Sequence, residues 1–292
     1  MRRLPPASTI ALYGSSRQEG YVKDIVDFIN RLSAHGLEVA VHDKLAATLH
    51  AAGMFPAGAV ECRRMPADAD VAVSIGGDGT FLRTARWVGR SGVPVMGINT
   101  GHLGFLAGSS IEHVGDIADI LAAGGAVADR RFMLKVECDA LTDRTWPYAL
   151  NEIALLKEET ASMINVEVEV DGCRLADYKA DGLIVSTPTG STAYNLSAGG
   201  PILMPDLECM VISAIAPHSL TIRPLVASGD TRLTAAVTSR SATFRLGIDG
   251  RSVVLPCGER LRISRADYSL NVAHMPAENF PETLRNKLHW NQ

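Results

Sequence analysis

Val71-Ala-Val-Ser-Ile-Gly-Gly-Asp-Gly-Thr-Phe-Leu-Arg83 decides the fold class of this chain. Val71 to Ile75 read as a buried strand, the glycines at 76, 77 and 79 as a sharp turn, and residues 81–90 as a helix. Strand, glycine turn and helix in succession form the repeating unit of a parallel α/β sheet. Glycines without Cβ atoms let a ligand come close to the backbone. The helix start beyond them offers unpaired N–H groups and partial positive charge, which suit phosphate. Asp78 at the tip of the turn can accept a proton from an attacking hydroxyl or hold a cation beside phosphate. No Gly-Lys pair occurs, so the turn is not a Walker A loop, and Leu82 stands where Gly-x-Gly-x-x-Gly needs its last glycine. Taken alone, the turn indicates phosphoryl transfer to an unnamed acceptor.

Outward from this turn the first ~125 residues keep alternating between strand and helix signals. Thr9 to Tyr13 is a short apolar strand, and Val22, Ile25, Val26, Ile29 and Leu32 then recur at helical spacing up to Gly36. Residues 37–41 and 93–98 return to strand, and residues 111–123 read as helix closing at Gly124-Gly125. Past Ala128 the period changes to two, in residues 132–138 and 164–170, with Asp171-Gly172 as a hairpin turn. Further strands are expected at 183–186, 210–216, 233–237, 243–248 and 261–264, and a short helix at 282–290. The expected organisation is an α/β domain over residues 1–127, a mainly antiparallel β domain over 128–270 and a C-terminal tail over 271–292, with a ligand cleft between the domains.

Composition excludes several classes. Hydrophobic residues make up 47% of the 292 and charged residues 21%, which is the balance of a globular protein. The net charge is −4 with Lys and Arg scattered, so neither a nucleic-acid surface nor an anionic-membrane surface is expected. No apolar run approaches the ~20 residues of a spanning helix, and the first residues lack a signal-peptide core. Five widely spaced cysteines (62, 138, 173, 209, 257) without Cys-x-x-Cys read as reduced thiols of a cytoplasmic protein.

Three further stretches carry chemistry. Gly97-Ile-Asn-Thr-Gly-His-Leu-Gly-Phe-Leu106 is a strand running into a glycine-punctuated loop, expected beside the first turn at the carboxyl edge of the sheet. Asn151-Glu152 is a polar pair inside an apolar stretch, which in isolation reads as a solvent-facing bend. Asp181-Gly-Leu-Ile-Val-Ser-Thr-Pro-Thr-Gly-Ser-Thr-Ala-Tyr-Asn-Leu-Ser-Ala-Gly-Gly-Pro201 is a strand, a hydroxyl-rich turn and a short helix entered through Ser191 or Thr192.

The Gly76–Arg83 stretch resembles the signature of the NAD kinases, bacterial type, and more loosely that of diacylglycerol and sphingosine kinases and 6-phosphofructokinases. The 181–201 stretch resembles the NAD kinases over some twenty residues nearly without interruption. Weaker matches at residues 216–225 and at Gly247-Ile-Asp-Gly250 extend the resemblance from about Ile10 to Ile263. It implies a Rossmann-like parallel sheet followed by a β-sandwich-like domain, and transfer of the γ-phosphoryl group of ATP to the 2′-hydroxyl of the adenosine ribose of NAD. Asp78 is implied as general base and Gly76, Gly77, Gly79 and Thr80 as the phosphate loop, with Mg²⁺ accompanying ATP. The implied NAD site comprises Asp78, Gly79, Arg83, Phe105, Asn151, Glu152, Lys179, Asp181, Thr192, Ala193, Tyr194, Asn195, Ser197 and Ala216. Phe105 is implied near the adenine, the Asn-Glu pair on the riboses and adenine, Asp181 at the nicotinamide end and Tyr194 stacked on the adenosine. A homodimer or homotetramer is implied, assembled through the β-rich half.

The chain departs from the family pattern in places. Arg251 stands where Gln is common, Ala180 precedes Asp181 where Gly or Ser is expected, and no acidic residue follows Phe105 within Leu106-Ala107-Gly108. His102 and His218 lie in matched loops and read as structural or solvated rather than as ligands, as does Arg86 on the helix. Two rival readings remain: a lipid or sugar kinase sharing the loop, and an NAD-binding sensor without catalysis.

Overall fold

The computed structural model describes residues 1–16, 18–101, 104–143, 145–158 and 162–290. The chain forms two compact units, one of residues 1–130 and 270–292 and the other of residues 131–269.

The first unit opens with β1 (Arg2–Arg3), β2 (Thr9–Gly14), α1 (Val22–Ala34), β3 (Glu38–His42), α2 (Asp43–Ala51) and β4 (Ala59–Cys62). It continues with β5 (Val71–Ile75), α3 (Asp78–Val88), β6 (Val95–Asn99), β7 (Ser109–Ser110), α4 (Val114–Ala123) and β8 (Val127–Arg131). One sheet takes these strands in the order β1-β8-β21-β6-β5-β2-β3-β4, with β7 on β6 and β21 (Leu270–His274) returning from the end of the chain. The pairs from β21 through β6, β5, β2 and β3 to β4 are all parallel. Every residue of β2, β5 and β6 is buried, as strands covered by helices on both faces must be. Helix α1 buries Val22, Ile25, Phe28, Ile29 and Leu32, one face at 3.6-residue spacing.

The sheet order has one consequence for ligands. From β2 the chain builds outward through β3 and β4, then crosses back so that β5 and β6 lie on the other side of β2. The crevice beyond the carboxyl ends of β2 and β5 is therefore the topological switch point, where open α/β sheets take ligands. The Gly76–Thr80 turn follows β5 directly.

The second unit holds β9 (Leu134–Glu137), β10 (Tyr148–Ala149), β11 (Glu152–Leu156), β12 (Ile164–Val170), β13 (Cys173–Ala180) and β14 (Gly182–Ser186). After a short helix α5 (Tyr194–Ser197) come β15 (Cys209–Ile215), β16 (Leu225–Ser228), β17 (Leu233–Thr238), β18 (Thr243–Ile248), β19 (Arg251–Pro256) and β20 (Arg260–Arg265). They make two six-stranded sheets, β10-β9-β20-β17-β12-β13 and β16-β15-β14-β11-β18-β19. Their pairs are antiparallel. Val136, Val166 and Leu261 from one sheet and Leu155, Val185 and Phe244 from the other share one buried cluster, so the unit is a β-sandwich. Asp171-Gly172 (φ 50° and 81°) and Asp249-Gly250 (φ 47° and 73°) turn two of its hairpins in the left-handed region that two-residue loops require.

Three expectations are corrected. Residues 271–292 are not a tail: β21 pairs with β6 at Val272↔Val95, and Ala273 joins the core of the first unit. The first unit reaches Arg130 rather than 127, because β8 belongs to its sheet. Helix α3 begins at Asp78, three residues before the expected start, so Asp78 is a first-turn residue rather than the tip of a free loop. Helix α2 and strand β4 had no sequence signal strong enough to be expected. The C-terminal helix α6 (Phe280–Leu288) lies close to its expected place, capped by Asn279 Oδ1 accepting from Glu282 N–H at 2.9 Å.

Candidate active site

In the first unit the turn after β5 must be glycine at position 76. Its φ is +141°, and a Cβ there would lie 2.6 Å from Thr80 Oγ1. Gly77 is the N-cap of α3 and brings no side chain to cap it, while Gly77 and Gly79 are exposed. First-turn amides have no partner inside a helix, so this end is open to an anion. Thr80 is buried, and its Oγ1 accepts from Arg83 Nη2 at 3.0 Å, which holds an exposed guanidinium beside the turn.

Asp78 is engaged by the loop after β6. Its Oδ2 accepts from Phe105 N–H at 3.0 Å, and its Oδ1 accepts from Leu106 and Ala107 N–H at 3.1 and 3.2 Å. The loop after β6 is thus wrapped around the carboxylate. A Cβ on Gly104 would come within 2.8 Å of Asp78 Cγ, so only glycine permits that approach. A carboxylate has about four lone-pair positions, so these bonds leave one, on Oδ2, for a hydroxyl or a cation. Asn99 Oδ1 starts the same loop by accepting from Gly101 N–H at 2.7 Å. Phe105 is half-buried, with Lys287 Nζ 5.7 Å from its ring centroid. His102 lies outside the described residues.

In the second unit Asn151 and Glu152 are both buried, so the pair is no solvent-facing bend. Their backbone is held from two sides. Thr187 N–H donates to Asn151 O at 2.8 Å, and Ser186 Oγ donates to the same oxygen at 3.3 Å. On the other side Asp249 accepts from the amides of Leu150, Asn151 and Glu152. Yet Asn151 Oδ1 and Glu152 Oε2 are buried with no hydrogen-bond partner. Buried polar atoms are ordinarily paired, so a ligand bearing O–H or N–H donors would complete this site. Burial, and then the nearby Asp249 carboxylate, push Glu152 up to about 7, opposed by a hydrogen bond from Tyr194 N–H.

The turn after β14 runs as a 3₁₀ segment, Thr189–Thr192, into α5. Tyr194 is 41% exposed and its ring is open to stacking, while Thr192 and Ala193 are half-buried and Ser197 is exposed. Thr189 Oγ1 is a third buried polar atom without a partner. Asp181 pairs with Lys157 Nζ at 2.7 Å, and Lys179 is exposed. Ala216 has φ +44°, an uncommon state for a residue with a Cβ, and is exposed at the end of β15. His218 is exposed, and its N–H donates to Lys179 O at 2.8 Å.

Asn195, implied as a ligand contact, also has a role within the fold. It is fully buried, and its Nδ2 donates to Ser191 O and Pro201 O, both at 3.2 Å. Its Oδ1 accepts from Ser213 Oγ at 2.7 Å, so the amide is used within the fold, tying the turn to β15. Asn195→Ala is expected to destabilise the protein by about 2–4 kcal/mol through unpaired buried groups. A thermal melt checks this, and an unchanged melting temperature would refute the structural role. Asp249, Thr187 and Gly190 lie in stretches that sequence reasoning singled out, but it assigned none of them a role in the site. The Asp-Gly dipeptide at 249–250 marked a turn, but nothing local tells where its carboxylate points. Among the described residues no group of three His, Cys, Asp or Glu side chains is arranged to hold a metal.

Comparison with known proteins adds the following. The family described as ATP-NAD kinase N-terminal domain matches residues 26–126, and that described as ATP-NAD kinase C-terminal domain matches residues 150–275. A protein of Bacteroides fragilis named NAD kinase is 47% identical over 223 residues, 76% of this chain and 77% of its own. One of Porphyromonas gingivalis, also named NAD kinase, is 40% identical over 282 residues, 96% of this chain and 97% of its own. The crystal structure of an NAD kinase from Archaeoglobus fulgidus in complex with ATP superposes with a TM-score of 0.72 at 28% identity, covering 95% of this chain and 99% of that one.

Proposed function

The chain belongs to the NAD kinase family, and on that footing we propose how its own residues perform the reaction. The activity is transfer of the γ-phosphoryl group of ATP to the 2′-hydroxyl of the adenosine ribose of NAD, giving NADP and ADP. The observation that carries the residue-level reading is the immobilised Asn151-Glu152 backbone with two unpartnered buried oxygens. Asn151 Oδ1 and Glu152 Oε2 accept from the ribose hydroxyls and the adenine amine, and Tyr194 covers the base. The open start of α3, with Gly77 and Gly79, receives phosphate oxygens, and Arg83 neutralises their charge. Asp78 takes the 2′-hydroxyl proton on its one remaining Oδ2 lone pair. Phosphoryl transfer gains mostly from such positioning and charge neutralisation.

Mg²⁺ is proposed to arrive with the triphosphate and neutralise its charge. Mg²⁺ is usually held by one or two carboxylates, waters and substrate phosphates rather than by a protein cage, so the role needs no ligand cluster of the kind absent among the described residues. Cytoplasmic residence is proposed from five free cysteines, and no helix among the described residues is long and apolar enough to cross a membrane. A homodimer or homotetramer is proposed through the second unit, where the edge strand β16 exposes Leu225 and Val226 and the preceding loop exposes Leu220. Light scattering on the pure protein checks it, and a monomer at micromolar concentration would refute it.

A lipid or sugar acceptor is not favoured, because relatives alike along nearly the whole chain are NAD kinases. The decisive assay incubates the pure protein with ATP, Mg²⁺ and NAD, then measures NADP with an NADP-specific dehydrogenase. NADP formation is expected. NAD binding without NADP would instead identify a sensor, and ADP release only with a lipid or sugar would identify another kinase.

A further inference from the structure

We propose that Asp249 is a positioning residue of the nucleoside site: its buried carboxylate fixes the Asn151-Glu152 backbone, so that the acceptors of both side chains are held ready for a ribose. The inference rests on the reading of Asn151-Glu152 as the ribose-binding pair.

Asp249 opens the turn between β18 and β19 with φ +47°. Its Oδ2 accepts from Leu150 N–H at 2.7 Å, and its Oδ1 accepts from Asn151 N–H at 2.8 Å and Glu152 N–H at 3.2 Å. Its own N–H donates to Glu152 O at 3.2 Å. One residue thus engages three consecutive ones across a sequence gap of 97 to 99 positions. From the opposite side Thr187 Oγ1 donates to Leu150 O and Thr187 N–H to Asn151 O. The peptide planes cannot rotate without breaking several bonds, so each of the two side chains leaves the backbone in a fixed direction. That is the arrangement a binding pair needs if its acceptors are to wait for a ligand unpaired.

Few charged groups face this pair. Glu152 on β11 meets the Asp249 carboxylate and the Tyr194 N–H at the start of α5. Asp249 meets the three amides and Arg251 on β19. Burial raises both carboxyls; the three amides and Arg251 oppose the rise at Asp249, and the Tyr194 N–H opposes it at Glu152. Ribose hydroxyls donate best to an ionised carboxylate. Below pH about 7, where Glu152 holds its proton, NAD binding must therefore expel it. Affinity should rise about tenfold per pH unit up to that point and level off above it. Stability runs the other way. A carboxyl raised in the fold contributes stability below its ordinary value of 4.5 and loses it as pH rises through about 7.

The test is calorimetric titration of NAD into the full-length protein, its Asp249→Asn variant and its Glu152→Gln variant, from about pH 5.5 to 8.5. In the unaltered protein, binding at pH 6 should release close to one proton, read from the dependence of the heat on buffer. Asp249→Asn turns an NH₂ toward the amides that a carboxylate had accepted. NAD affinity at pH 8 should fall roughly tenfold, with KM for ATP within twofold, and the pH break should move lower as the neighbouring charge is lost. Glu152→Gln should bind weakly with no pH break. Full affinity in Glu152→Gln would overturn the ribose reading itself. Weak binding in Glu152→Gln, with affinity and break unchanged in Asp249→Asn, would overturn the role of Asp249 alone. Should Asp249→Asn not fold, Asp249→Glu, which keeps the charge but displaces the carboxylate, takes its place, and unchanged NAD affinity there would overturn the role of Asp249.

Discussion

Replacing Asp78 by Asn should lower kcat for NADP formation by roughly 10²–10⁴, the usual scale of general acid–base help. The structure adds a second effect. Asn retains a carbonyl oxygen for Leu106 and Ala107 N–H, but turns an NH₂ toward Phe105 N–H, which then has no acceptor. One backbone amide of the 104–107 loop is released, at a cost of about 1 kcal/mol. Affinity for NAD should therefore drop only a few-fold while turnover collapses. Steady-state kinetics separates the two, and hydrogen exchange at residues 105–107 reports the released loop. Near-normal turnover in Asp78→Asn would end the assignment of Asp78 as base. A loss carried wholly by KM would reduce it to an anchor for the loop.

Gly190→Ala should be comparably severe, for a different reason. A Cβ at position 190 would overlie the Asn151 carbonyl and stand 2.6 Å from Asn151 Cα. That obstacle is backbone, which cannot swing away as a side-chain tip can. Asn151 is moreover pinned by Thr187 on one side and Asp249 on the other. Either the 187–190 turn lifts away or residues 150–152 shift off Asp249. Overpacking of this kind costs about 1–3 kcal/mol, occasionally more, and either response misplaces the Asn-Glu pair. The melting temperature should fall and KM for NAD rise at least roughly tenfold. Gly20→Ala serves as control, since nothing lies within 4 Å of a Cβ there. Unaltered NAD kinetics in Gly190→Ala would show that the position of Asn151 does not matter to binding.

Much of the fold was legible in residue order. Period-two alternation in 164–170 marked a strand that the structure confirms, and the strand expected at 243–248 is also present. The apolar spacing of Val22, Ile25, Ile29 and Leu32 marked the buried face of α1. The glycine turn after Val71–Ile75 located the start of α3 to within three residues. These signals are readable because they are local: a strand or helix buries a face whose period is written within ten residues. Strand β21 was not legible, because its partner β6 lies some 175 positions earlier and five residues carry too little pattern. The site divides in the same way. Asn151-Glu152 stood out as polar residues in an apolar stretch, but whether such a pair bends toward solvent or faces a pocket depends on strands distant in the chain.

Residue order was enough to reach the family and the reaction class and to single out the glycine turn and the polar pair, since each rests on short runs of residue types. It left open what the polar side chains do. Asp78 grips amides 27 to 29 residues further on, Asp249 grips amides 97 to 99 residues earlier, and Asn195 spends its amide on Ser191, Pro201 and Ser213. A carboxylate or amide has no preferred partner until strand pairing and turn geometry bring one within 3 Å, and that distance is set by the packing of whole sheets. Three residues of two types, equally polar on paper, thereby become the proposed base, the proposed support of the nucleoside site and a structural tie.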